Sequence, residues 1–182
     1  MRIPPRSAAA DQTPYEIRTA GRRDAAAMWE LSRALHHDEP EAGLLETAEW
    51  HVTLDHLADF VTEIARTDNG LCLVAALDHG AIGSLTLEGG RYSKTRHVAE
   101  LGVIVHREWR RRGVGKELIV AAVEAARASA VIKKISLRLF SNNDAALRLY
   151  ESLRFRLEGR RAAQIRLADG YVDEILMGLD VF

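Results

Sequence analysis

Apolar and polar side chains alternate over residues 15–20 (YEIRTA), which predicts a first β-strand. The period then lengthens. After Asp24, apolar Ala27, Met28, Leu31 and Leu35 recur at three- and four-residue spacing, predicting an amphipathic helix through about His37 with Asp24 as its cap. Residues 38–50 (DEPEAGLLETAEW) have no period and read as a loop. A second helix runs from about Thr53 to Arg66, and Asp68-Asn69-Gly70 ends it. The segments LCLVAALD and AIGSLTLEG flank Asp78-His79-Gly80 as an antiparallel hairpin, and HVAELGVIVH (97–106) is a further strong strand. Behind Lys116, apolar positions 118, 119, 122, 123 and 126 make a helical stripe. KKISLRLF (133–140) reads as a strand, and NDAALRLYESL (143–153) as a helix that gathers Ala146, Leu149, Tyr150 and Leu153 on one face. FRLEGRR and YVDEILMGL close the chain as a second hairpin around Asp169-Gly170.

The order is therefore strand, two helices, three strands, helix, strand, helix, two strands. That pattern predicts one mixed α/β domain over residues 14–182, with seven strands and four helices. Residues 1–13 show no period and read as a flexible tail. A chain of 182 residues leaves little room for a second domain. Its net charge of −1 and pI near 6.7 give no global field toward nucleic acid or an anionic membrane. The lone Cys72 cannot form an intramolecular disulfide, which suits a reducing compartment. The longest apolar run, residues 118–123, is too short to span a bilayer, and Pro4 and Pro5 interrupt any secretory signal. Cytoplasm is the expected location.

Chemistry enters at residues 110–118, RRRGVGKEL. Three arginines precede a glycine pair at the start of a helical pattern, and bare helix N-termini attract phosphate. Two phosphate loops fail here. A P-loop needs Gly where Arg110 stands and a hydroxyl where Glu117 stands. A dinucleotide fingerprint needs a third glycine at Leu118.

Arg110-Arg111-Arg112-Gly113-Val114-Gly115 instead resembles the Gln/Arg-x-x-Gly-x-Gly/Ala signature of the GNAT superfamily of acyl-coenzyme A-dependent N-acetyltransferases. The preceding strand AELGVIVHREW and the later block SNNDAALRLYESLRF also resemble that family. In the later block Asn143, Ala146, Leu149 and Tyr150 match its Asn-x-x-Ala-x-x-Leu-Tyr pattern. The closing EGRR…YVDEILMGL looks like the branch acting on free amino acids and similar small amines. The resemblance covers most of the chain from residue 15. It implies a central, mixed but mostly antiparallel sheet flanked by the helices.

The resemblance also implies roles. Gly113, Val114 and Gly115 would cradle the pyrophosphate of coenzyme A through backbone N–H groups, with Arg110, Arg111, Arg112 and Lys116 around them. The pantetheine arm would pair with the main chain of Val103, Ile104 and Val105, where a strand N–H stabilises the oxyanion. Asn143 would anchor the far end of the cofactor, and Tyr150 would protonate the departing thiolate. Glu100, in the strand entering the site, is a candidate base for the ammonium, directly or through water. Bland readings stand beside these. The arginines alone would be a solvated run, Tyr150 a core tyrosine, Glu100 a solvent-facing strand residue and Asn143 a helix cap.

Two departures from the family pattern bear on the chemistry. Relatives read Leu-Gly-Phe where this chain has Leu153-Arg154-Phe155. Some carry a glutamate base where Arg138 stands, which favours Glu100 or a water chain. His36, His37, Asp38, Glu39 and Glu41, and also His51, Asp55 and His56, match no zinc spacing, and no metal is expected. The acidic loop could instead help bind a cationic amine.

The expected activity is transfer of an acetyl group from acetyl-coenzyme A to the primary amine of a small molecule, an amino acid or related amine, by direct attack. Protein N-termini, polyamines and a non-catalytic acyl-coenzyme A sensor are the alternatives. The expected partner is a small amine, not nucleic acid or membrane; a homodimer is compatible with this reading.

Overall fold

The computed structural model describes residues 1–10, 13–43, 45, 47–78 and 80–182. Strand β3 (Leu71–Leu77) is buried from both sides. Leu71, Leu73 and Ala75 enter one apolar cluster, while Cys72 and Val74 enter a second on the other side of the sheet. Burial on both faces explains why this strand reads as a continuous apolar run.

Around it lie β1 (Arg6–Ala10), β2 (Thr13–Thr19), β4 (Gly80–Gly89), β5 (Val98–Val105), β6 (Lys134–Phe140), β7 (Arg156–Leu167) and β8 (Gly170–Asp180), in the order β1-β2-β3-β4-β5-β6-β8-β7. Every neighbouring pair is antiparallel except β5 and β6, which are parallel. A parallel pair needs a crossover, and α3 (Val114–Arg127) supplies it. The other helices are α1 (Ala25–Asp38), α2 (Leu54–Ile64) and α4 (Asp144–Ser152). Leu118, Ile119, Ala122 and Ala126 of α3 join Tyr150 and Phe155 in the first cluster, and Met28, Val61 and Ile64 of α1 and α2 join the second. A Cβ on Gly83 would come within 3.0 Å of Leu118 and 3.2 Å of Val114, so this glycine lets α3 dock closely on β4.

All seven expected strands and four helices are present. The sheet has an eighth strand because residues 6–10, read from sequence as tail, pair their main chain with β2. Such pairing needs no apolar period, only an open edge. The Arg6 side chain also reaches Glu124 of α3 at 2.5 Å. Residues 38–50 hold two 3₁₀ turns, Pro40–Ala42 and Thr47–Glu49. His79 in the β3–β4 turn, Leu44 and Glu46 in that loop, and Asp11 and Gln12 lie outside the described residues.

Asp24 precedes α1 but does not cap it through its side chain. Its carboxylate takes the Gly21 N–H at 2.8 Å and both terminal nitrogens of Arg18 at 2.7 and 2.8 Å. Burial pushes its pKa up, but Arg18 and the Gly21 N–H outweigh this and hold it below the usual carboxylate value.

The end of α4 preserves a backbone shape that its residue type does not favour. Arg154 has φ = 69°, left-handed, and Phe155 N–H closes back on the Tyr150 carbonyl at 3.0 Å. Glycine adopts this conformation without a Cβ penalty. Arg154→Gly is therefore expected to raise stability by up to about 1 kcal/mol, the strain relieved minus the added freedom of the unfolded chain. An unchanged or lower chemical-denaturation midpoint would mean that the arginine side chain compensates.

Candidate active site

β5 and β6 pair only at Val98↔Lys134, Ala99↔Ile135 and Glu100↔Ser136. Beyond that point β5 continues to Val105 on β4 alone, and β6 continues to Phe140 on β8 alone. The two strands part and leave a wedge with an unpaired main-chain edge on each side. The His106 N–H donates to the Ile82 carbonyl at 2.9 Å. Alternation then turns the main-chain groups of Ile104 and Gly102 toward β4, and those of Leu101, Val103 and Val105 toward the opening. The three positions expected to hold an extended ligand are thus not equivalent. Val103 offers both its main-chain groups and Val105 its N–H, the Val105 carbonyl being taken by Arg110, whereas those of Ile104 are used in the ladder. Its side chain instead lines a narrow groove with Leu31 and Leu35 of α1.

At the end of β5 a 3₁₀ turn, Arg107–Trp109, leads into the arginine–glycine loop. Arg111 (φ = 64°) and Gly113 (φ = 90°) are both left-handed, and no described residue stands within 4 Å of where a Gly113 Cβ would lie. Gly113 precedes α3 with no side-chain cap, and the first helical bond is Glu117 N–H to the Gly113 carbonyl at 3.0 Å. The N–H groups of Val114, Gly115 and Lys116 are therefore left without intrahelical partners at the positive end of a 14-residue helix.

The arginines divide by role. Arg110 turns away from the glycines: its Nε donates to the Val105 carbonyl at 3.0 Å, and its terminal nitrogens bind Glu39 at 2.5 and 2.8 Å. Arg112 lies over the Trp109 ring, 5.5 Å from its centroid, and Trp109 meets Tyr15 edge-on. Arg111 and Lys116 are exposed.

Asn143 caps α4, its Oδ1 accepting the Ala146 N–H at 3.0 Å, which leaves its amide nitrogen as a donor. Tyr150 is only 7% exposed and packs edge-on to Phe155 at 5.4 Å. Its hydroxyl bonds to no described residue, yet it is not among the sealed, unpartnered polar atoms. Burial pushes the phenol up to about 12.

On the sheet face opposite α3, Glu100 meets Arg138 where the wedge opens. Nε of Arg138 donates to Glu100 Oε1 at 2.9 Å, and a terminal nitrogen lies 2.7 Å from the same oxygen. Glu88 of β4 stands directly across from Glu100 in the strand register. Glu174, nearly fully buried, is held by Arg161 at 2.8 Å and lies 3.7 Å from Arg138. Sequence reading treated Arg138 only as the loss of a carboxylate. Its place on β6, out of phase with buried Leu137 and Leu139, is the signal that puts it on Glu100's face.

The acidic loop is already engaged: Glu39 binds Arg110, and Glu41 accepts the Ala168 N–H at 3.1 Å. Glu39 is thereby paired in charge with Arg110 and is no spare anion for a cationic amine. His36 and His37 both pack on Trp50, which also meets Trp29, and burial lowers the His36 pKa. These rings hold residues 47–52 against α1. Among the described residues no three His, Cys, Asp or Glu side chains form a metal-binding group. Cys72 is buried, which pushes its thiol up to about 12 and leaves it a packing residue. No helix among the described residues is long and apolar enough to cross a membrane.

Residues 26–155 match the model of the Acetyltransferase (GNAT) family. Over 105 residues the chain is 30% identical to the L-amino acid N-acetyltransferase AaaT of Escherichia coli (strain K12). That alignment covers 58% of this chain and 65% of the relative, just under two thirds of its length. An acetyltransferase of the GNAT family from Streptococcus pneumoniae shares the fold at a TM-score of 0.82 and 24% identity, over 91% of this chain and 98% of that one. The yncA protein of Salmonella typhimurium, solved with acetyl-CoA, does so at 0.82 and 20% identity, over 93% and 95%. The family match runs from α1 to Phe155 and takes in the wedge, the glycine loop and Tyr150, so the chain belongs to the acetyltransferase (GNAT) family.

Proposed function

We propose that the protein transfers the acetyl group of acetyl-coenzyme A to the primary amine of a small molecule, an amino acid or a related amine. The observation that carries this reading is a coincidence in space: the open edge of β5 ends beside the bare N-terminus of α3. The name of the E. coli relative supports an amino-acid acceptor. A coenzyme A-dependent reaction also fits a cytoplasmic protein.

The residues suit the ligand. Pantetheine amides can pair with Val103 and with the Val105 N–H as a strand would, the pyrophosphate suits the N–H groups of Val114, Gly115 and Lys116, and Gly113 adds no side chain to obstruct it. Arg111, Arg112, Lys116 and the Asn143 amide add donors at the rim. Acetyl-coenzyme A supplies an activated acetyl thioester. The chain supplies an open N–H from Val103 for the carbonyl oxygen, Glu100 or its water as acceptor of the amine proton, and Tyr150 as proton donor to sulfur. The amine nitrogen bonds to the acetyl carbon, the carbon–sulfur bond breaks, and the thiolate takes the phenolic proton. A sensor without turnover has no use for a phenol left free of partners among the described residues.

Free-thiol release from acetyl-coenzyme A, screened over L-amino acids, polyamines and short peptides, tests this reading. Release with a small amine is expected. Release with peptides alone, or with nothing, overturns it.

Glu100→Gln is expected to lower kcat/KM most at low pH, where little free amine exists without a base. Neighbouring Glu88 and Arg138 remain in both proteins, so the difference between the profiles belongs to Glu100. Superimposable profiles would assign deprotonation to water or to the amine's own ionisation.

A further inference from the structure

The Glu100–Arg138 pair is an unusual thing to find at the mouth of the wedge, because it is only partly used. Both contacts from Arg138 converge on one oxygen of Glu100, through Nε and one terminal nitrogen. Apart from that contact, the two terminal nitrogens, which form the end-on edge of the guanidinium, have no hydrogen bond to a described residue. Glu174 lies 3.7 Å from the other terminal nitrogen and is already held by Arg161 at 2.8 Å. Oε2 of Glu100 is likewise without a hydrogen-bond partner among the described residues. Both side chains are about half exposed. A guanidinium edge of this kind matches a carboxylate bidentately, and a free carboxylate oxygen beside it matches an ammonium.

We propose that Arg138 forms the carboxylate subsite of the acceptor site, and that the acceptor is an α-amino acid read as a zwitterion. This rests on the acetyltransferase reading above and narrows it. The carboxylate lies on the open edge of Arg138 and the amino group lies toward Oε2 of Glu100. An α-amino acid carries its two charges one carbon apart, as a pair of opposite charges in direct contact requires. The row Glu88, Glu100, Arg138, Glu174, Arg161 runs across five adjacent strands, β4, β5, β6, β8 and β7, with its signs mixed. Within that row the open guanidinium edge of Arg138 repels a second positive charge, so a zwitterion is favoured over a polycation. Polyamines lack the carboxylate, and the α-amino group of a peptide has an amide where the carboxylate should be.

The experiment compares each L-amino acid of the panel with its primary carboxamide and its decarboxylated amine, using wild type, Arg138→Gln and Arg138→Lys. Wild type is expected to favour the free acid over the carboxamide by at least tenfold in kcat/KM. Arg138→Gln should bring that ratio close to one by raising the acceptor KM. Its KM for acetyl-coenzyme A should stay near wild type, any effect exerted through Glu100 should fall equally on acid and carboxamide and cancel from the ratio, and Arg138→Lys should recover part of the ratio. Retained coenzyme A binding confirms that the variants are folded. Acetylation of amines with no preference for the acid, or a preference that survives in Arg138→Gln, overturns this proposal and leaves the acetyltransferase reading standing. Absence of acetylation of every amine by wild type overturns both.

Discussion

Tyr150→Phe is expected to lower kcat by about 10²–10⁴-fold, the reach of one general acid, while folding and coenzyme A affinity stay at wild-type levels. The ring is buried against Phe155 and the cluster under α3, and phenylalanine keeps that packing. The hydroxyl bonds to no described residue, so its removal leaves no described donor or acceptor orphaned. Burial pushes the phenol up to about 12, so it still carries its proton well above neutral pH. The sign follows directly. Loss of the acid form begins only as pH rises toward about 12, so Tyr150 contributes no alkaline limb to kcat below about pH 10. The same raised value means that its contribution to stability is complete below the unfolded value near 10 and declines as pH climbs through the folded one. Full turnover by the phenylalanine variant would make Tyr150 a packing residue and nothing more.

Periodicity carried most of the fold into view because each helix and most strands bury a face. β3 was legible as a strand from its unbroken apolar run, and the α3 stripe at 118, 119, 122, 123 and 126 lies in the core. β1 was not legible, because main-chain pairing to the edge of β2 leaves no apolar period in the sequence. The loop and its glycines were readable because a bare helix N-terminus has a residue signature. The separate fates of its arginines were not, because Arg110 is claimed by Glu39, 71 residues earlier in the chain. No local spacing encodes that contact. The parting of β5 and β6 is also invisible locally, since both sequences are ordinary strands and only their register shows where pairing stops. Arg138 belongs to the same class. Its meaning comes from Glu100, 38 positions away, across that opening.

Gly115→Leu is expected to weaken coenzyme A binding by about 10³-fold with the fold retained. A Cβ on Gly115 would meet Cγ2 of Val105 at 3.4 Å, an ordinary contact, so alanine should be accommodated with little loss. A leucine extends further into the space between the α3 N-terminus and the end of β5. There it would stand in front of the N–H groups of Val114, Gly115 and Lys116, which have no helical partners. Losing two charge-assisted hydrogen bonds of about 2 kcal/mol each accounts for the factor. Arg112→Ala is the contrasting case. Its guanidinium rests on the Trp109 ring at the rim, so its removal takes away one exposed charge and should weaken binding about tenfold. Titration calorimetry with coenzyme A separates the two, with circular dichroism establishing that each variant is folded. If a folded Gly115→Leu protein bound coenzyme A as tightly as wild type, the phosphates would have to be held by side chains, and Arg112→Ala would then show the larger loss.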